Sequence, residues 1–189
     1  MARTKIVLAG EGGHGVQSIA KILVEAGYAA DKKVLYIPNF GVEQRGGVSI
    51  AFCQISDETI GEPRFSKADI VIMLSDRAID RCATYVDENT TVVYDPSICT
   101  TKPEMKAKEI IGIPANKMAN EELSSRVFNI IILGTVIKAT NVIELKYVKD
   151  AMEAALGKKF ATNPELRDLN HKALEMGMAL IGGQYANQK

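Results

Sequence analysis

The 189-residue sequence lacks an excess of charge of either sign. Its 23 lysine and arginine residues balance 23 aspartate and glutamate residues, so the formal net charge is zero. This balance argues against nucleic acid or an anionic membrane as a partner, since both usually require a basic surface. A hydrophobic fraction of 47% and a charged fraction of 24% are typical of a globular protein. The length predicts a single domain over residues 1–182 and a frayed tail over 183–189.

Cysteine motifs and long apolar segments are also missing. Cys53, Cys82 and Cys99 cannot all pair, and none belongs to a C-x-x-C motif. This argues against a disulfide scaffold and against a metal site or iron–sulfur cluster built by this chain alone. The longest apolar run, 127–137, is interrupted by polar and glycine residues, whereas a membrane-spanning helix needs about 20 apolar residues. The sequence therefore predicts a soluble protein of the reducing cytoplasm.

Short apolar runs alternate with helical patterns in the first two thirds of the chain. Apolar residues recur with helical spacing over 16–30, and a further helix is predicted around 76–85. Strands alternating with helices favour a Rossmann-like α/β fold with a largely parallel sheet flanked by helices. The runs predicted as strands are 5–9, 34–37 (closed by Pro38), 48–55, 69–74, 90–94 and 109–113.

The last third of the sequence is predicted to be helical. Asn120 precedes two glutamates and an apolar run, which indicates a helix that begins there and runs towards Ala139. A second helix is expected over 145–156 and is predicted to stop at Gly157. The pair Asn163-Pro164 indicates the start of a third helix, with a capping amide followed by proline at the first helical position.

A first glycine loop follows the first predicted strand and precedes the first predicted helix. Residues 10–15 contain a G-x-G-x-x-G pattern, which in this position lets a phosphate approach the helix N-terminus. An NAD site would also need an acid at the end of the second strand, but that strand ends Ile37-Pro38-Asn39-Phe40. An NAD-dependent oxidoreductase is therefore disfavoured. Two interpretations stay open, a phosphate contact and a tight turn, and His14 is either a phosphate donor or a solvated loop residue.

A second glycine loop, residues 39–47, follows the second predicted strand. It contains three glycines and the charged pair Glu43 and Arg45. Open α/β sheets bind ligands at the carboxyl ends of their strands, and glycines permit close backbone approach there. The alternative is a surface turn with a solvated ion pair, which contributes little to stability.

Together the two loops resemble the gamma subunit of 2-oxoacid:ferredoxin oxidoreductases. Residues 10–16 read GEGGHGV and residues 40–47 read FGVEQRGG, where that family has G-x-G-G-Q-G-V and Y-G-x-E-x-R-G-G. The resemblance continues at Ala68-Asp69, Asn129 and Leu133-Gly134. His14 replaces a glutamine of the family and Phe40 replaces a tyrosine, so the contacts of those two side chains do not carry over.

The resemblance implies a defined role within a larger enzyme. Family enzymes decarboxylate a 2-oxoacid on thiamine diphosphate with Mg²⁺, pass electrons through iron–sulfur clusters to ferredoxin, and transfer the acyl group to coenzyme A. This sequence has neither a thiamine diphosphate motif nor a set of cluster cysteines, so no catalytic residue, cofactor or metal is assigned to it. The implied partners are thiamine-binding alpha and beta subunits and a ferredoxin-like subunit. The chain would complete the active site and the coenzyme A region.

The overall resemblance favours 2-oxoglutarate as the substrate over pyruvate or 2-oxoisovalerate. For Asn129, the one polar residue in an apolar helical run, two interpretations stay open. Its amide either ties the helix to a neighbouring loop or points into the crevice beside the glycine loops. A stand-alone Rossmann-like nucleotide-binding or regulatory module remains the second functional hypothesis. The residues expected to contribute to ligand binding are Gly10, Gly12, Gly13, Gly15, Gly41, Glu43, Arg45, Gly46, Gly47 and Asn129.

Overall fold

A computed structural model describes residues 3–40 and 47–182 of the protein, which form one sheet with helices on both faces. The spatial order of the strands is β2-β3-β1-β4-β5-β6. Strand β3 is antiparallel to β1 and β2, whereas β1, β4, β5 and β6 pair in parallel. Among the described strands, β3 alone therefore runs against the others. The strands are β1 (Thr4–Glu11), β2 (Lys33–Asn39), β3 (Val48–Ser56), β4 (Ile70–Met73), β5 (Thr91–Tyr94) and β6 (Glu109–Gly112).

The helices divide unequally between the two faces of the sheet. Helix α2 packs on one face, where it contacts β1 and β4. The other described helices belong to the larger hydrophobic core on the opposite face, in which α4 packs closely on α6. No helix in the described ranges has both the length and the apolar character needed to cross a membrane. The helices are α1 (Val16–Ala29), α2 (Asp76–Cys82), α3 (Ala115–Glu122), α4 (Phe128–Thr140), α5 (Leu145–Thr162) and α6 (Pro164–Leu180).

This architecture confirms the predicted fold class, an α/β sheet flanked by helices with a helical C-terminal third. All six predicted strands and the first helix are present. The second strand does not stop at Pro38 but continues to Asn39, with Pro38 paired to Ala51. A proline is tolerated there because β2 is an edge strand. The Asn163 cap is also confirmed, since its side-chain oxygen accepts a hydrogen bond from the Leu166 N–H at 3.4 Å.

Two predicted helix boundaries are wrong. Asn120 does not begin a helix but lies inside α3, where its amide donates to the Asn116 carbonyl at 2.9 Å. The chain then forms a 3-10 turn, Ser125–Val127, before α4 begins at Phe128. Helix α5 continues through Gly157 to Thr162. Burial of Phe160 outweighs the cost of about 1 kcal/mol for glycine within a helix.

Candidate functional site

The carboxyl ends of β1 and β4 form the point at which the chain diverges to the two faces of the sheet. These strands are parallel neighbours. Helix α1, which follows β1, packs into the larger core, whereas α2, which follows β4, packs on the opposite face. Open α/β sheets bind ligands in the crevice that such a divergence creates. The first glycine loop lies at this position.

The glycines of the first loop serve different purposes. Gly10 is buried, and a Cβ at this position would lie 3.0 Å from His14 Nδ1 and 3.1 Å from Leu74 Cβ. Gly12 and Gly13 are exposed, and a Cβ at either would meet nothing within 4 Å. Gly10 is thus required for packing, whereas Gly12 and Gly13 leave bare backbone open to a ligand.

Asn129 lies directly against the start of α1. Gly15 adopts the left-handed conformation, with φ of 70°, and a Cβ there would lie 2.3 Å from Asn129 Nδ2. Helix α4 therefore brings the Asn129 side chain to the first glycine loop. Within the described residues no hydrogen bond ties this amide to a neighbouring loop, and the side chain is only half-buried.

The surroundings of the His14 ring favour its neutral form. Its Nδ1 atom accepts a hydrogen bond from the Glu11 N–H at 3.1 Å. Its ring packs edge-on against Phe128, with centroids 5.8 Å apart. Burial lowers the pKa of His14, although the carboxylates of Glu11 and Asp95 oppose that shift. Because Nδ1 is an acceptor, the neutral ring carries its proton on Nε2.

Asp95, which follows β5 at the same edge of the sheet, was not singled out from the sequence. It is fully buried, and its carboxylate accepts hydrogen bonds from the Ser97 N–H and the Asn116 N–H, each at 2.8 Å. These bonds join the end of β5 to the first turn of α3 and satisfy the buried charge. The feature of the sequence that could have identified Asp95 is an acidic residue immediately after an apolar strand.

The strand register brings Gly47, the described C-terminal end of the second glycine loop, next to the first loop. Gly41, Glu43, Arg45 and Gly46 lie outside the described residues. Gly47 is described, immediately before β3, and is half-buried. Val48 pairs with Glu11 and Ser49 with Gly10, while Ile50 pairs with Asn39 at the end of β2. The Gly47 end of the second loop therefore adjoins the first loop, whereas the Asn39 end is separated from it by β3.

The described residues do not suit a metal ion or an iron–sulfur cluster. No group of three or more histidine, cysteine, aspartate or glutamate side chains in those ranges could hold a metal. Cys53, Cys82 and Cys99 are buried in or after separate elements. Burial raises the pKa of Cys53 and of Cys82 to about 12 and that of Cys99 to about 11. Such thiols remain protonated, whereas cluster ligands are thiolates.

A separate recess lies against β2 and β3 on the face of the sheet opposite α1. It has a volume of about 410 Å³ and is bordered by the Phe52, Phe65 and Tyr85 rings. Phe52 packs edge-on against the other two, with centroids 5.9 and 5.1 Å apart. These residues belong to the smaller core, so the recess is distinct from the first glycine loop.

Comparison with known proteins places this geometry in a family. The profile described as pyruvate ferredoxin/flavodoxin oxidoreductase matches residues 5–180. The chain is 33% identical over 158 residues to the 2-oxoglutarate synthase subunit KorC of Methanocaldococcus jannaschii, covering 82% of each chain. It superposes on the gamma subunit of a keto/oxoacid ferredoxin oxidoreductase from Geobacter sulfurreducens with a TM-score of 0.76 and 25% identity, covering 92% of this chain and 95% of that one.

Other relatives are much longer than this chain. The match to the ketoisovalerate oxidoreductase subunit VorA of Methanothermobacter marburgensis is 30% identical over 175 residues and covers 92% of this chain but 35% of the relative. The chain thus spans about a third of that protein, and matches nearly all of the separate Geobacter subunit. The family match extends over both glycine loops and the C-terminal helices. The chain belongs to the pyruvate ferredoxin/flavodoxin oxidoreductase family.

Proposed function

We propose that this chain is the gamma subunit of a thiamine-diphosphate-dependent 2-oxoacid:ferredoxin oxidoreductase. The observation that carries the proposal is the strand pairing that sets the first glycine loop beside the start of β3, which directly follows the second loop. Glu11 of the first loop pairs with Val48, which follows the second. A scaffold turn would not require two such loops side by side, whereas a ligand held by backbone groups would.

The first loop suits the diphosphate of coenzyme A, whose thiol accepts the acyl group in the overall reaction. Gly12 and Gly13 expose their backbone at the start of α1, where the helix dipole favours an anion. Asn129 would add a side-chain amide from α4. The other proposed contacts are Gly10, Gly15, Gly41, Glu43, Arg45, Gly46 and Gly47. The Arg45 guanidinium is chemically suited to a phosphate or carboxylate.

We assign thiamine diphosphate, Mg²⁺ and the iron–sulfur clusters to partner subunits. The described residues offer no metal-binding group, and the three cysteines are buried and protonated. The partners would be alpha and beta subunits that bind thiamine and a ferredoxin-like subunit, in the cytoplasm. The VorA relatives support a close association, because their corresponding segment is part of a longer chain.

We further propose 2-oxoglutarate as the substrate. The KorC relative, named as a 2-oxoglutarate synthase subunit, is 33% identical and matches 82% of each chain. Relatives named for pyruvate and ketoisovalerate are almost as similar. Substrate choice therefore has to be measured, by comparing kcat/KM for 2-oxoglutarate, pyruvate and 2-oxoisovalerate with the assembled enzyme.

The decisive experiment is omission of this chain from the complex. We expect the partner subunits with it to form acyl-CoA and reduce ferredoxin, and the same subunits without it to lose CoA-dependent turnover. Arg45→Ala is expected to raise the KM for coenzyme A or weaken assembly. Full CoA-dependent turnover without the chain would refute the proposal. A stable homo-oligomer that binds a nucleotide and does not associate with the partner subunits would support the stand-alone module instead.

A further inference from the structure

A hydrogen-bonded cluster around Gln17 joins helix α1 to two strands. The Gln17 amide donates to Ser49 Oγ at 2.8 Å and to the Ile50 carbonyl at 3.0 Å. Its amide oxygen accepts a hydrogen bond from the Tyr36 hydroxyl. All of these groups are partly buried. The cluster uses both donors of the amide and one acceptor position, so the orientation of Gln17 is fully determined.

The cluster lies where the candidate site is built. Gln17 is in the first turn of α1, two residues after Gly15. Ser49 pairs with Gly10, the first residue of the glycine loop. Ile50 pairs with Ala9 on β1 and with Asn39 on β2. The amide therefore connects the N-terminus of α1 with the strand ends that border the first glycine loop.

Within the described residues, the other side-chain hydrogen bond of this loop is the one that His14 Nδ1 accepts from the Glu11 N–H, and it does not reach the sheet beyond β1. No side chain caps that helix, whose N-cap is Gly15. Gly12 and Gly13 have no side chains with which to fix their own positions. A backbone ligand site must nevertheless hold its donors in place before the ligand arrives. The Gln17 cluster supplies a fixed connection between this turn and the sheet.

We propose that Gln17 is a positioning residue that holds the first glycine loop and the α1 N-terminus in their ligand-binding geometry, with Tyr36 and Ser49 as its anchors. The inference rests on the proposed function in one respect, namely that the ligand at this loop is coenzyme A. Gln17 itself does not touch the ligand. It acts through the backbone of the turn in which it lies.

The first test is hydrogen–deuterium exchange on the full isolated chain. We expect Gln17→Leu, and more mildly Tyr36→Phe, to accelerate amide exchange in residues 10–18 about fivefold, the factor that loss of one net hydrogen bond gives. Exchange in α4 and α6 should stay unchanged. In the double variant the Tyr36→Phe change should add less than it does alone, because its partner is already gone. Tyr28→Phe, at a tyrosine that is 76% exposed, is the matched control.

The second test uses the assembled enzyme. Gln17→Leu is expected to raise the KM for coenzyme A about fivefold, and Tyr36→Phe by a smaller factor, with kcat for saturating coenzyme A unchanged in both variants. Tyr28→Phe should leave both constants unchanged. Unchanged exchange in residues 10–18, or faster exchange with an unchanged KM, would overturn the positioning role. If the wild-type complex shows no CoA dependence, the proposed function fails. The exchange result still decides whether Gln17 holds the loop.

Discussion

A methyl group added at Gly12 or at Gly13 would meet no other atom within 4 Å. The two substitutions should nevertheless differ in their effect on the stability of the fold. Gly13 has a φ of 96°, whereas Gly12 is not in the positive-φ region. We expect Gly12→Ala to change the free energy of unfolding by less than about 0.5 kcal/mol. Gly13→Ala should cost about 1 kcal/mol in backbone strain. Gly15→Ala should cost more, because it adds a clash with Asn129.

These differences make Gly12→Ala the cleanest probe of the loop. If backbone at Gly12 approaches coenzyme A, the added Cβ should raise the KM for coenzyme A in the assembled enzyme while the melting temperature of the isolated chain is unchanged. Steady-state kinetics and thermal unfolding are measured on the same preparation. An unaltered KM would leave the loop as a tight turn only.

His14 should make the stability of the chain sensitive to mild acid. Burial lowers its pKa below the ordinary value of 6.5, so the unfolded chain binds the proton first as the pH falls. The stability contributed by the neutral ring is therefore present above pH 6.5 and is lost as the pH falls through the folded-state pKa. We expect the free energy of unfolding of wild type to fall relative to that of His14→Gln below this pH. Urea unfolding from pH 8 to pH 5 tests this, and parallel pH curves for the two proteins would contradict it.

The α4–α6 pair is held together by two glycines that let the helix backbones touch. A Cβ on Gly134 would lie 2.2 Å from the Leu174 carbonyl oxygen, and one on Gly177 would lie 1.9 Å from the Ile131 carbonyl oxygen. The Thr135 hydroxyl lies at the same crossing, where its one proton is shared between the Ile131 carbonyl of its own helix at 3.1 Å and the Gly177 carbonyl at 3.3 Å. The obstructing atoms are backbone atoms inside helices and cannot move aside without separating the pair.

We therefore expect Gly134→Ala or Gly177→Ala to lower the free energy of unfolding by about 3 kcal/mol, since overpacking outweighs the better helix propensity of alanine. Gly157→Ala in α5 is the control, because a Cβ there meets nothing within 4 Å. That change should stabilise the chain by about 0.5–1 kcal/mol. Chemical denaturation of the three variants decides the point, and similar effects at all three positions would show that close packing is not the cause.

Sequence patterns predicted the individual strands and helices better than they predicted strand direction and helix boundaries. The strands were predictable because apolar runs bounded by turn residues have one consistent interpretation. The reversed direction of β3 was not, since periodicity carries no information on strand direction. The break between α3 and α4 was missed because the apolar run of α4 hid the turn at Ser124, whose hydroxyl accepts from the Arg126 N–H.

The same distinction applies to the site. Both glycine loops were identified in the sequence from their position after predicted strands, and their convergence on one crevice stays a prediction. The Gln17 cluster depends on the register that pairs Ser49 with Gly10, which no local pattern specifies. Asn129 could be identified as an exceptional polar residue, but its contact with Gly15 follows only from the packing of α4 beside α1.

At the scale of the whole molecule, our proposal makes this chain a coenzyme A-binding component and assigns the redox chemistry to its partner subunits. We expect the purified chain, supplied with thiamine diphosphate, Mg²⁺, coenzyme A and 2-oxoglutarate, to reduce no viologen dye. We place the diphosphate of coenzyme A at the glycine loops of this chain. Titrating the chain into the partner subunits should therefore raise acyl-CoA formation until the chain is equimolar with them. Gly12→Ala should reach the same end point with a higher KM for coenzyme A, since the variant is expected to assemble normally. Dye reduction by the isolated chain would refute this assignment, and a titration with no end point would show that the chain does not enter the complex as a stoichiometric subunit.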